Sequence, residues 1–210
     1  MTANAAQASR RTQAERVAES SRRLIDAAIE LISEQGFERT TAAEIGERAG
    51  YSRNMVRDRY GSKEAVLKIL LENEIAERLL PRLRRERPGT GLDLTLGHLD
   101  DLLHGVETAP DNMRAMVVLS FEATAGPIAS IRDWYAELIP RFQAEMAEHI
   151  ALGQRDGSIR TDLDPQREAE VYVSYGIGLC FRWVMFRDAF DFPAEINAWR
   201  ARLARDYAAE

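Results

Sequence analysis

Residues 41–60 read TAAEIGERAGYSRNMVRDRY, and this stretch decides the fold. Thr41 and Glu44 have the T-x-x-E spacing of a capping box, in which hydroxyl and carboxylate satisfy otherwise free backbone N–H groups, so a helix is expected to start there. Ile45 and Ala49 lie one turn apart and face inward. Gly50 closes that helix, and only Tyr51 separates it from Ser52, a second N-cap residue. A third, short helix is expected from Ser52 to about Arg59. Val56 and Tyr60, at i and i+4, point into a core. Asn54, Met55 and Asp58 face the other way, flanked by Arg53 and Arg57. A short helix with a basic exposed face, tightly following another short helix, is helix-turn-helix geometry.

Upstream, Leu24, Ile25, Ala28, Leu31 and Ile32 fall on one face of a 3.6-residue period, which predicts a first helix over residues 21–35 with Gly36 as its C-cap. Downstream, Gly61 and Ser62 break the chain, and a fourth helix is expected from Lys63 to about Leu79. Further helices are expected over residues 92–106, 112–123, 127–154 (with Pro140 as a kink), 165–187 and 194–207. Strand-like alternation and internal repeats are not found. The expected fold is all-α, with about nine helices. It comprises a flexible arm at 1–20, a three-helix helix-turn-helix domain at 21–66 and a helical bundle at 67–210.

Composition narrows the class. Of 210 residues, 45% are hydrophobic and 30% charged, which suits a globular protein with a real core. The net charge of −6 argues against a general nucleic-acid binder, but the charge is uneven. Residues 1–65 carry a net +1, and residues 52–63 carry +3. A small cationic footprint on an acidic body fits local DNA contact. The first twenty residues lack an apolar core stretch, there is no long apolar run and Cys180 is the single cysteine. The expectations are therefore no signal peptide, no membrane partner, no disulfide and a cytoplasmic location.

The stretch RLIDAAIELISEQGFERTTAAEIGERAGYSRNMVRDRYGSKEAVL, residues 23–67, resembles the DNA-binding domain of the TetR family of bacterial repressors. The resemblance rests on AA at 27–28, GF at 36–37, T-x-x-E-I at 41–45, A-G-Y-S at 49–52, Tyr60, and G-S-K-E at 61–64. It implies a dimeric DNA-binding regulator with double-stranded operator DNA as partner. It also implies a C-terminal domain for effector binding and dimerisation. The family often has Tyr where this chain has Arg57, and an aromatic or His where it has Asp58, so the operator sequence does not carry over.

Residue roles follow from reach and chemistry. Thr41 and Lys63 are expected to meet phosphate. Arg53, Asn54 and Met55 occupy the base-reading end of the third helix, where Arg favours guanine, Asn adenine and Met a thymine methyl. Arg57 suits phosphate or guanine. Asp58 suits cytosine N4, or steadies Arg57 or Arg59. Ser52 is expected to cap the helix, and Tyr60 to sit in the core at its rim. An effector pocket is expected among Met113, Met116, Phe121, Trp134 and Phe142, with His104 and Arg182 as polar groups. The alternative for each is ordinary core. A dimer interface is expected on the helix carrying Tyr172, Tyr175, Gly176, Leu179, Trp183 and Phe186.

No cofactor, metal or catalytic residue is expected. His98, His104 and His149 are scattered along the sequence, and His98 and His104 do not share a helix face. Asp100 and His104 do, at i and i+4, which leaves a helical metal-dependent enzyme as one alternative. No P-loop, nucleophile elbow or Gly-rich dinucleotide motif is present. A second alternative is a DNA-binding regulator with no small-molecule ligand.

Overall fold

The computed structural model describes residues 12–79 and 88–209. The described residues are helical nearly throughout. In chain order the helices are α1 (Gln13–Gln35), α2 (Ala42–Arg48), α3 (Met55–Tyr60), α4 (Lys63–Ile69), α5 (Gly91–Thr108), α6 (Pro110–Ala125), α7 (Ala129–Asp156), α8 (Pro165–Met185) and α9 (Phe192–Tyr207). A π-helical segment, Leu70–Leu79, continues α4, and a 3-10 turn, Arg187–Ala189, follows α8. Among the described residues, the one departure from helix and turn is an isolated bridge pairing Ile159 with Ala208.

Helix α1 begins at Gln13, not at Ser21. Its N-terminal half lacks the apolar stripe that defines the rest, but Thr12 and Glu15 form a capping box that starts it earlier. Ser20 is buried there and returns its hydroxyl to the carbonyls of Arg16 and Val17. Of the expected flexible arm, residues 1–11, including Arg10 and Arg11, lie outside the described residues; Arg16 lies on the helix. Helix α4 reaches Leu79 as expected, but its second half hydrogen-bonds in the wider i→i+5 pattern. Pro127 stands two residues ahead of α7 and not in its first turn, whereas Pro140 lies inside α7.

Two apolar cores organise the chain. The first buries Leu24, Ala28, Leu31 and Ile32 of α1 with Ile45, Val56, Val66 and Leu70, and it extends to Leu119 of α6 and Ile131 and Tyr135 of α7. The second lies between α5, α6, α7, α8 and α9, around Leu99, Met113, Met146, Ile150, Tyr172, Trp183 and Trp199. Met116 packs against both, so α6 is a shared wall between the N-terminal helices and the bundle.

The turn after α7 is ordered by its own polar groups. The Asp156 carboxylate accepts from the Gly91 N–H at 2.8 Å, and the Ser158 hydroxyl accepts from the Leu92 N–H at 3.1 Å. Together they satisfy the orphan donors at the start of α5 and fix it against the end of α7. Asp164 caps α8 by accepting from the N–H groups of Gln166 and Arg167, with Pro165 at the first helical position.

Candidate nucleic-acid interface and enclosed cavity

Helices α2 and α3 meet so closely that Gly46 has no room for a side chain: a Cβ there would stand 2.4 Å from the Ser52 carbonyl oxygen. The Tyr51 N–H donates to the Gly46 carbonyl at 2.9 Å, which closes the turn. Helix α2 is fixed to α1 by Arg48, which reaches Glu34 at 2.9 Å and Glu30 at 3.3 Å. The Arg48 guanidinium holds the Glu34 carboxyl below its ordinary value.

Helix α3 starts three residues later than expected. Ser52 to Asn54 form a turn, closed by the Met55 N–H donating to the Ser52 carbonyl at 3.0 Å, and Asn54 is the N-cap residue without a side-chain capping bond. Ser52 is therefore not the cap. Ser52, Arg53, Asn54, Arg57 and Asp58 are exposed. Arg57 and Asp58 lie on α3 itself, and Arg53 and Asn54 on the turn that leads into it. Arg53 is 72% exposed and lies 3.2 Å from Glu47.

Several residues of the expected set are placed otherwise. Met55 is half-buried and packed on the first core, on the side of α3 that carries Val56 and where Tyr60 takes its expected place. Arg59 turns away from the basic face. Its guanidinium donates to the Val17 carbonyl and to the Ser20 and Ser21 hydroxyls at 2.6–2.9 Å, binding α3 to the start of α1. Lys63 is not presented as a surface point charge. Its ammonium donates to the carbonyls of Phe37, Glu38 and Thr40 at 2.9–3.2 Å and lies 4.4 Å over the Phe37 ring. Thr41 is exposed, but its N–H and hydroxyl both donate to Glu44, completing the capping box and holding the Glu44 carboxyl below its ordinary value.

The loop between α1 and α2 is gripped from both sides. Against the Lys63 ammonium on its carbonyls stands the Glu122 carboxylate of α6, which accepts from the N–H of Phe37 at 3.0 Å and of Glu38 at 3.4 Å. Gly36 is required here twice over: its φ is +85°, and a Cβ would meet the Glu122 carboxylate at 2.4 Å. Arg187 adds a further tie, donating to the carbonyls of Ser33 and Glu34.

On its other face α6 borders a cavity of about 350 Å³ lined by α5 to α9. Met113, Met116, Phe121 and Phe142 line it, as expected. Trp134 instead packs edge-on to Tyr135 beside the first core, Arg182 stacks over Phe190 at 4.2 Å, and His104 is not among the lining groups. Sequence reading missed Asp101 and His98, the charged and titratable groups of the wall, along with Ser120 and Thr124. Asp101 sits in a leucine-rich run, where periodicity alone does not separate a cavity wall from a packed core. Cys180 also faces the cavity, and burial pushes its thiol up to about 12.

The expected dimer residues divide. Tyr172, Leu179 and Trp183 are buried within the chain, since they fall on the side of α8 that meets α7 and α9. Gly176 lies against Trp199, 3.5 Å from where a Cβ would stand, so it faces the chain's own α9 at ordinary contact distance. Tyr175 and Phe186 are exposed, and with Val171, Ile177, Phe181 and Met185 they form an apolar outer face along α8.

A three-helix head with a tight α2–α3 turn and a basic α3 face, set on a helical bundle with an internal cavity, defines a helix-turn-helix regulator. Residues 24–70 match the family described as bacterial regulatory proteins, tetR family, so the chain carries a DNA-binding helix-turn-helix similar to that family's. It is 24% identical over 196 residues to the HTH-type transcriptional regulator TtgR of Pseudomonas putida, covering 90% of this chain and 91% of that protein. The fold is similar to that of a putative transcriptional regulator from Saccharomonospora viridis in complex with choline. The TM-score is 0.76 at 19% identity, covering 92% of this chain and 100% of the other. It is also similar to the SmeT–triclosan complex, with a TM-score of 0.70 at 18% identity, covering 91% and 92% of the two chains. Among the described residues, no helix is long and apolar enough to cross a membrane.

Proposed function

We propose that this chain is a homodimeric repressor that holds a palindromic operator through α3 and releases it when a small, largely apolar effector fills the bundle cavity. The observation that carries the reading is the position of α6. One face of this helix lines the cavity through Met113, Met116 and Phe121, while Glu122 on the same helix grips the loop that leads into α2. A ligand that shifts α6 therefore acts directly on the DNA-binding head, and a difference in affinity between the two positions of α6 converts into release.

Two further observations support it. The exposed α3 face offers arginine and asparagine, which recognise guanine and adenine edges in the major groove, but one such short helix reads few base pairs. Two copies related by a dyad, one helical turn of DNA apart, supply the rest. The exposed apolar face of α8 suits a self-complementary contact with a second copy. The ligands in the two solved structures, choline and triclosan, belong to those proteins. Here the apolar wall, with Asp101 and His98 as its polar points, favours an apolar effector carrying a hydrogen-bonding or cationic group.

Sequencing the genomic fragments retained by the purified protein is the decisive experiment. A shared palindrome is expected, and binding to it should weaken in the presence of compounds that raise the melting temperature of the protein. Retention of all fragments without preference, or stabilising compounds that leave DNA binding unchanged, would refute the reading.

A further inference from the structure

Folding brings together two of the three histidines that are scattered in the sequence. His98 of α5 and His149 of α7 face each other with Nε2 and Nδ1 3.3 Å apart, and Glu145, one turn before His149, places Oε1 3.9 Å from the same His98 nitrogen. The three ligand atoms lie within 4.8 Å of one another. We propose that His98, Glu145 and His149 form a binding site for a divalent transition cation of the zinc class at the edge of the bundle cavity.

The geometry supports this. Zinc bound tetrahedrally at about 2.0–2.1 Å from imidazole nitrogen separates two such nitrogens by about 3.3–3.4 Å. The 3.3 Å between His98 and His149 matches that edge, so a cation between them needs little movement of either ring. The Glu145 side chain is 28% exposed and can turn its carboxylate toward the two nitrogens, the three atoms already lying within 4.8 Å of one another. Two imidazoles and a carboxylate are a borderline-soft set that favours zinc, cobalt or nickel over calcium or magnesium, which prefer all-oxygen shells.

The surroundings suit a cation. The His98 side chain is only 12% exposed and its ring is held edge-on to Phe142 at 5.3 Å, so it is preorganised. Glu145 and Glu148 both place negative charge near the His149 ring. Three protein ligands leave a fourth position for water or for a donor atom of a molecule in the cavity, since His98 and Phe142 both line it. Because α5 and α7 each supply a ligand, the cation would pin two walls of the cavity together. The competing arrangement is a neutral histidine pair in which one ring N–H donates to the other ring.

The test is direct and independent of DNA binding. The full-length chain, stripped with a chelator, is titrated with Zn²⁺ in competition with a chromophoric chelator. Co²⁺ is then added in place of zinc, and its visible bands report a four-coordinate site. One zinc per chain is expected. The His98→Ala and His149→Ala variants should bind it at least about 100-fold more weakly, beyond the range typical of a lost outer-shell partner. Glu145→Gln, which keeps the side-chain shape, should weaken it at least about tenfold, and it decides the matter if a histidine variant does not fold. The background is low, because His104 is the one histidine outside the cluster and Cys180 is buried. Wild-type zinc affinity no tighter than that of the His98→Ala and His149→Ala variants, or unchanged on Glu145→Gln, would overturn the site and leave the histidine pair as a structural hydrogen bond.

Discussion

At the scale of single residues, Arg53 and Lys63 show how similar charges take different work. Arg53 is exposed at the tip of the α3 face, and its neighbour Glu47 is an exposed ion-pair partner that costs little to displace. Arg53→Ala is expected to weaken operator binding by about 1–3 kcal/mol while changing scrambled DNA much less. Fluorescence anisotropy on the two duplexes checks this, and equal losses on both would remove its base-reading role. Lys63→Ala, by contrast, deletes three charge-assisted hydrogen bonds to the α1–α2 loop. It should destabilise the fold by about 1.5–3 kcal/mol, seen as a lowered denaturant midpoint. Loss of DNA affinity without loss of stability would contradict the structure. Cys180 gives a chemical readout of the cavity wall. Its thiol, raised from 9 to about 12, ionises only above that pH. At pH 8 labelling by a thiol reagent should be about a thousandfold slower in the native chain than in the unfolded one. An effector seated in the cavity should slow it further.

At the scale of elements, α6 is the part whose role the sequence does not disclose. In the sequence it reads only as a very apolar helix. In the structure, the tie from the cavity to the head runs through Glu122 on α6 and the Phe37–Thr40 loop, with Lys63 of α4 holding the far side of that loop. Glu122→Gln keeps the size but not the charge of the grip. It should leave effector binding within about threefold of wild type, because Glu122 is not in the cavity wall, while reducing the effector's influence on DNA affinity. Coupling free energies of this kind are typically about 1–3 kcal/mol. Measuring operator affinity with and without a saturating effector gives the coupling factor. An unchanged factor would place the link elsewhere. Helix α3 teaches a related lesson. The sequence places it within three residues, but Met55 and Arg59 turn inward. A six-residue helix wedged against two neighbours has more than one side occupied.

At the scale of the whole molecule, the proposed dimer rests on the outer face of α8. Met185 and Phe186 are 58% and 52% exposed, so charge placed there does not disturb the core. Met185→Asp combined with Phe186→Asp should leave helix content and melting of the monomer nearly unchanged, and light scattering should report half the mass of the wild type. Operator affinity should fall by at least about 100-fold, since a single α3 reads too little DNA for specific binding. A wild-type monomer at micromolar concentration, or a variant that still dimerises, would move the interface off this face.

The linear chain by itself determined the all-helical class, most helix boundaries and the helix-turn-helix. Those depend on caps, breakers and periodicity, all of which act over a few residues. Met113, Met116, Phe121 and Phe142 line the cavity as expected for the same reason: bulky apolar side chains on inward helix faces must go somewhere central. Only the folded chain decided which apolar residues of α8 are core and which are surface, because a single helix with apolar residues on all sides carries no label for its partners. It alone assigned Lys63 and Arg59 to packing, placed Glu122 on the α1–α2 loop, and joined His98 to His149 across some fifty positions. Those encounters are set by how helices stack, and spacing along one helix holds no record of what the next helix brings against it.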